Sequence, residues 1–264
     1  MLEAFGCTRE PFLHEVQGGE VFLWSDLEEG LRRLRYGVRC RGLLAMAGPS
    51  GSGKTTLLRH FTKQLEPGLY HVLALHHTSG TPLDLLTHLA ALLGASATNF
   101  RGRLIRQVQE SLAGLVNQRI QPLLLVDEAQ YLTNQALQEL RLLMTSGLDE
   151  TRLFTLILCG HEELEGRLRA PWLLPLRQRI TTWIRLGALS AEETSRYLAH
   201  RLKLAGVPLN LFSPEASFAL HQLSGGVLRP LDRLAHHALL ACALAKEPQV
   251  SPDHVRLAAE EVGL

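Results

Sequence analysis

The stretch LLAMAGPSGSGKTTLLRH, residues 43–60, decides how the rest of the chain is read. It opens with an apolar run of strand length, passes through a Gly/Ser-rich loop and continues into a helix-like segment. The G-x-x-x-x-G-K-[ST] spacing lets backbone N–H groups turn inward around a phosphate, because glycine tolerates dihedrals that side chains forbid. The following helix aims the positive end of its dipole at the same point. Gly48, Pro49, Ser50, Gly51, Ser52, Gly53, Lys54, Thr55 and Thr56 are therefore expected to line a phosphate cradle. Lys54 is placed to reach the β- and γ-phosphates and the Thr55 hydroxyl to ligate Mg²⁺. A turn that matches the motif by chance is the competing reading.

A second stretch, QPLLLVDEAQYL at residues 121–132, supplies context. Leu123 to Val126 form a run suited to a buried parallel strand, with two carboxylates at its carboxyl end, where open α/β sheets bind ligands. Asp127 is expected in the Mg²⁺ shell, and Glu128 is suited to orient and deprotonate a water that attacks the γ-phosphate. Together the two motifs predict an ATPase with ATP and Mg²⁺ as its nucleotide and cation.

In order along the chain, the phosphate loop, LLLVDEAQ, LFTLILCGHEEL, PLRQRI and SGGVLRPLDRLAHHAL resemble an AAA+ ATPase. FGCTREPF, the DEAQ box, EELEGRL and EETSRYLAHRLKLAG are similar to the ExeA-type branch, which is shared by secretion-associated ATPases and by transposition helpers of the TnsC, TniB and Mu B kind. The resemblance implies an α/β fold with a five-stranded parallel sheet core and a C-terminal helical lid. It puts His161 where the family places a polar sensor of the γ-phosphate, usually Gln, Asn or Thr, so a histidine there is a departure. It puts Arg177 and Arg179, the latter favoured, where an arginine enters the neighbouring subunit's nucleotide site, which implies a homo-oligomer. It makes Arg229 the second sensor, coupling the lid to the γ-phosphate. HEELE lacks the second histidine of H-E-x-x-H, so a zinc protease is rejected.

The 264 residues suffice for a core without staples, and 46% hydrophobic with 20% charged residues is ordinary for a globular protein. No apolar run approaches the roughly 20 residues of a membrane span, and the first residues do not read as a secretory signal, so a cytoplasmic protein is expected. The cysteines at 7, 40, 159 and 242 lie too far apart for a C-x-x-C pair and read as reduced packing residues. Strands are expected at about 43–47, 71–75, 122–126, 153–159 and 182–187, forming with the intervening helices a nucleotide-binding domain over 1–187. A helical lid over 188–264 follows, with Ser190–Glu193 as a capping box and Ser213–Pro214 and Ser251–Pro252 as helix starts.

What ATP moves rests on weaker signals, since a net charge of +1 says nothing about nucleic acid. Leu27, Leu31, Leu34 and Val38 mark a buried helix stripe that leaves Arg32, Arg35 and Arg39 on a polar face, suited to phosphates or simply to solvent. Arg101, Arg103 and Arg106 form a second basic cluster. By resemblance to transposition helpers, the loop with His77, Thr78, Ser79 and Thr81 faces DNA; the alternative is a helix start capped by Thr81. Two functions are expected in order. The first is a regulator of transposition that forms a ring or filament with ATP on duplex DNA, recruits a transposase and targeting proteins, and disassembles on hydrolysis. The second is an ExeA-type ATPase of a secretion or pilus-assembly system, placed second because relatives append a membrane span that is not seen before Leu264.

Overall fold

The computed structural model describes residues 5–13, 20–75, 80–95, 100–146, 151–207 and 210–263. It divides into two compact units, one of Leu27–Gly48 with Lys54–Leu186 and one of Met1–Asp26, Pro49–Gly53 and Gly187–Leu264. His77, Thr78 and Ser79 lie outside the described residues.

The first unit is built on five strands, β1 (Leu43–Ala47), β2 (Tyr70–Leu75), β3 (Gln121–Val126), β4 (Thr155–Gly160) and β5 (Ile180–Arg185). They pair in parallel in the order β2-β3-β4-β1-β5. β1 and β4 are buried along their whole length and β3 at all but its first residue, so their sequences read as continuous apolar runs rather than alternations. The helices that cover the sheet are α1 (Ser25–Arg39), α2 (Lys54–Thr62), α3 (Pro82–Leu92), α4 (Arg101–Asn117), α5 (Asn134–Leu143), α6 (Glu162–Leu168) and the single turn α7 (Leu174–Arg177). In α1 the expected stripe of Leu27, Leu31, Leu34 and Val38 is buried. Gly37 extends that stripe by close approach, since a Cβ there would lie 2.4 Å from a Leu44 methyl.

Two strands differ from expectation. β4 begins at Thr155 rather than 153, because the Leu153 N–H is donated instead to the Met144 carbonyl. That bond closes a small antiparallel pair, Thr145–Ser146 with Thr151–Arg152, that the hydrophobic pattern does not foreshadow. β5 runs from 180 to 185, two residues earlier than expected, and the Gly187 N–H beyond it is donated to the Asp26 carboxylate.

The second unit is helical, with α8 (Ala191–Leu204), α9 (Pro214–Ser224), α10 (Leu228–Ala245) and α11 (Pro252–Val262). Its starts follow from local chemistry. The Glu193 N–H is donated to Ser190 Oγ at 3.1 Å and the Ser190 N–H to the Glu193 carboxylate at 3.0 Å, a reciprocal cap. Ser213 accepts from the Ala216 N–H at 3.0 Å. The described segment 5–13 belongs to this unit: the Thr8 N–H is donated to Ala205 O at 2.8 Å and Arg201 Nε to Pro11 O at 2.7 Å. Arg201 is also stacked between Phe12 and Tyr197.

Next to it, the Tyr197 hydroxyl is donated to Asp232 at 2.7 Å, with Arg201 at 3.8 Å. Burial raises the Asp232 carboxyl to about 6, against the pull of Arg201 and Tyr197. The folded chain therefore holds this proton more tightly than the unfolded chain, whose carboxyl titrates near 3.8, and stability rises as pH falls from about 6 to 3.8. Thermal melts across this window are expected to show the parent gaining on Asp232→Asn as pH falls; a constant difference contradicts the assignment.

Candidate active site

The site residues of the sheet unit gather at the carboxyl ends of three adjacent strands. β1 is followed by Gly48, β3 by Asp127 and β4 by His161, and β3-β4-β1 are neighbours in the sheet. Lys54 opens α2, is buried, and its Nζ is donated to the Gly48 carbonyl at 2.9 Å. Thr55 Oγ1 lies 3.2 Å from Asp127 Oδ2. A hydroxyl beside a carboxylate is a pair of hard oxygen donors, and such a pair fits Mg²⁺, which binds through few protein ligands and keeps several waters.

Glu128 departs from ordinary backbone geometry. Its φ of 54° and ψ of 38° are left-handed, a conformation that costs a non-glycine residue roughly 1–2 kcal/mol. Several contacts hold it there. Its N–H is donated to Asp127 Oδ1 at 3.0 Å, and its carboxylate accepts from Gln130 Nε2 at 2.5 Å. His161 Nε2 lies 3.3 Å from the same carboxylate oxygen. The Gln130 carbonyl oxygen of the side chain in turn accepts the His161 N–H at 3.2 Å, so Glu128, Gln130 and His161 form a closed ring of polar contacts. Gly160 makes room for it, since a Cβ there would stand 2.4 Å from Gln130 Oε1.

Arg167 of α6 clamps the turn from outside. It is donated to the backbone carbonyls of Gln130 and Leu132 and to Asn134 Oδ1, the last two at 2.8 and 2.9 Å. Below the turn, Cys159 is fully buried on β4; burial first, and then the Asp127 carboxylate, pushes its thiol well above the usual range and keeps it protonated.

Within the helical unit the phosphate-loop residues meet Arg229. Gly51 (φ 78°) and Gly53 (φ 92°) hold the left-handed conformations the motif demands. A Cβ on Gly51 would lie 2.5 Å from Arg229 Cβ, and one on Gly53 2.9 Å from the Trp24 ring. Arg229 donates its backbone N–H to Gly51 O at 3.3 Å and Nη1 to Ser50 Oγ at 3.2 Å. Both glycines thus serve close approach as well as backbone freedom, the condition for a loop that wraps a phosphate.

Residues 38–168 match the family model described as an AAA domain. The chain carries an AAA+ ATPase domain. It is 31% identical over 261 residues to general secretion pathway protein A of Aeromonas hydrophila, covering 98% of this chain and 48% of that protein, so it spans about half the length of that relative. Among solved structures, Cdc6p of Pyrobaculum aerophilum is similar with a TM-score of 0.66 at 18% identity, over 94% of this chain and 71% of that one. Drosophila ORC bound to DNA is similar with a TM-score of 0.68 at 18% identity, over 97% of this chain and 64% of that one. At that identity both show the AAA+ fold alone.

The remaining expected residues are dispersed. Arg179 immediately precedes β5, whose first residue is level with Leu43 at the start of β1. The phosphate loop leaves the far end of β1, about 17 Å along the strand, so Arg179 stands at the opposite end of the sheet from its own loop. Arg177 ends α7 and is donated to the Arg169 carbonyl at 3.3 Å. Thr81 caps α3, accepting the Asp84 N–H at 3.3 Å. Arg101 is paired with the buried Glu139, and Arg103 lies over the Phe100 ring. Gln130 and Arg167 are the residues that motif reading passes over. Gln130 is visible as the last letter of DEAQ, whereas Arg167 leaves no signal because two of its three acceptors are backbone carbonyls.

Replacing Arg167 by Ala loosens the turn that carries Glu128 without touching the loop that carries Lys54. Steady-state kinetics are expected to show kcat down by about 10²-fold, the scale of an ångström-level misplacement, with nucleotide affinity within twofold of the parent.

Proposed function

We propose that this AAA+ chain hydrolyses ATP to drive a step in a protein secretion or pilus-assembly system. The observation that carries this is the 31% identity to general secretion pathway protein A along 98% of the chain. Of the two functions expected from the sequence, the secretion reading has this support, while recruitment of a transposase on duplex DNA has none beyond fold-level likeness. No helix among the described residues is long and apolar enough to cross a membrane.

In the proposed chemistry the loop from Gly48 to Thr56 and Lys54 bind the phosphates, and Thr55 with Asp127 hold the cation. Mg²⁺ held by these two residues would offset the charge on the phosphate oxygens. Glu128 takes a proton from the water as its oxygen bonds to the γ-phosphorus and the bond to the bridging oxygen of ADP breaks. Gln130 and His161 orient the Glu128 carboxylate, which the ring of contacts around it supports. Arg229 reports the state of the phosphate loop through Ser50 and Gly51. Arg179, with Arg177 beside it, acts on a nucleotide of another copy, a reading supported by its distance from its own loop.

Nucleotide-binding titrations and phosphate release test the site. Lys54→Ala is expected to abolish binding, and Glu128→Gln to bind ATP normally with hydrolysis reduced by at least about 10²-fold. Mixing the inactive Arg179→Ala and Lys54→Ala proteins is expected to restore part of the activity, because only mixed contacts join an intact loop to an intact arginine.

Function is tested by grafting residues 1–264 in place of the matching half of the Aeromonas protein in a strain lacking it. Secretion is expected to return with the parent and not with Glu128→Gln. No rescue, together with ATP-dependent filaments on duplex DNA, overturns the secretion reading.

A further inference from the structure

In the helical unit, α10 links the phosphate loop to segment 5–13. Val227, which precedes the helix, offers no capping side chain, and the Arg229 N–H in its first turn is donated to Gly51 O at 3.3 Å. The phosphate loop thus supplies the cap that the helix's own sequence omits. Asp232 and His236 follow Arg229 in α10 at helical spacing, so the three side chains share one face. Asp232 accepts from the Tyr197 hydroxyl at 2.7 Å and has Arg201 Nη1 at 3.8 Å, and Arg201 in turn donates Nε to Pro11 O at 2.7 Å. Contacts therefore run without a break from Gly51 through Arg229, Asp232 and Arg201 to segment 5–13.

Core filling alone does not account for these contacts. Phe12 does fill the core, edge to face on Phe212 with ring centroids 6.0 Å apart. The segment is also anchored by directional polar bonds: Thr8 Oγ1 to Ala205 O at 3.0 Å, Arg9 Nε to Leu204 O at 3.1 Å, and the buried Arg201 to Pro11 O. A buried ionic pair such as Arg201 with Asp232 is often matched or exceeded in stability by apolar residues of like volume, so its contribution here is a defined geometry. Further along the same face of α10, His236 Nδ1 and Glu10 Oε2 stand 3.8 Å apart, both buried and without a hydrogen-bond partner among the described residues. A seat left partly unsatisfied opens at low cost.

We propose that Arg201 and Asp232 are positioning residues through which a nucleotide in the phosphate loop tightens the seat of segment 5–13. Phosphate oxygens that fix the N–H groups of the loop also fix the Gly51 carbonyl, and with it the first turn of α10. The helix carries that restraint one turn on to Asp232, and Arg201 passes it to Pro11. Such coupling is reciprocal: the seated segment raises nucleotide affinity by the factor by which nucleotide favours seating. The inference rests on the nucleotide reading of the loop given above and goes beyond it in giving segment 5–13 a nucleotide-dependent state.

Cys7 lies within the segment and is buried; burial, and then Glu10, push its thiol up, so a maleimide reaches it through opening of the segment. The test follows N-ethylmaleimide labelling of Cys7 by peptide mass in a Cys40→Ser chain, since Cys40 is exposed whereas Cys159 and Cys242 are buried. Labelling is compared with and without a non-hydrolysable ATP analogue and Mg²⁺, and the analogue is expected to slow it at least about fivefold. Asp232→Leu is expected to abolish that protection, while Asp232→Asn, which keeps an acceptor for Tyr197, retains it. Thr8→Val with Arg9→Ala loosens the segment without touching α10 and is expected to weaken analogue binding, at most by the protection factor of the parent. Labelling that is unchanged or faster while titration shows the analogue bound overturns the coupling and leaves the nucleotide reading standing. Protection that survives Asp232→Leu overturns the roles of Arg201 and Asp232, and a chain that binds no analogue overturns both readings. Should Asp232→Leu not fold, the Thr8 and Arg9 double variant decides, and unchanged analogue affinity there overturns the proposal.

Discussion

The site depends on one constrained residue. Glu128 adopts a left-handed backbone that a glutamate does not favour, and it does so at the point where the buried strand β3 turns out of the sheet. The cost is offset locally: Asp127 accepts the Glu128 N–H, Gln130 and His161 engage the carboxylate, and Arg167 ties down the carbonyls that follow. Strain held by an over-determined surround keeps this carboxylate in one place. β4 contributes as much as β3, since Gly160 leaves space for Gln130 and His161 supplies the second contact.

The histidine at position 161 gives this arrangement its own character. An imidazole 3.3 Å from a carboxylate makes a hydrogen bond when neutral and an ion pair when protonated. A neutral amide at that position would make only the former. The histidine thus gives Glu128 a second partner beside Gln130.

Basic residues in this chain divide by what they touch. Arg101, Arg167, Arg201 and Arg229 are each engaged with a carboxylate, a carbonyl or a hydroxyl of their own unit, and their work is positional. Among the described residues, the side chains of Arg41 and Arg119 have no such partner, and both sit in unfavourable backbone conformations. Counting arginines along the sequence does not separate these groups: the cluster around Arg101 and Arg103 reads much like the one that ends α1, yet Arg101 is consumed by the buried Glu139.

The parallel sheet, the phosphate loop and the Asp127–Glu128 pair were legible in the sequence because each rests on local chemistry: apolar runs of strand length, glycines where φ is positive, and acids directly after a buried strand. Helix starts at Ser190 and Ser213 were legible for the same reason, since a cap acts over three residues. The strand order, the small antiparallel pair that delays β4 to Thr155, and the grouping of residues 5–13 with the helical unit were decided by tertiary structure, through carbonyls and N–H groups distant in the chain. So was the ring of Glu128, Gln130 and His161, and the grip of Arg167 on backbone oxygens, which no residue pattern records. Sequence determines what lies within one turn or one strand, and packing decides which of those pieces face each other.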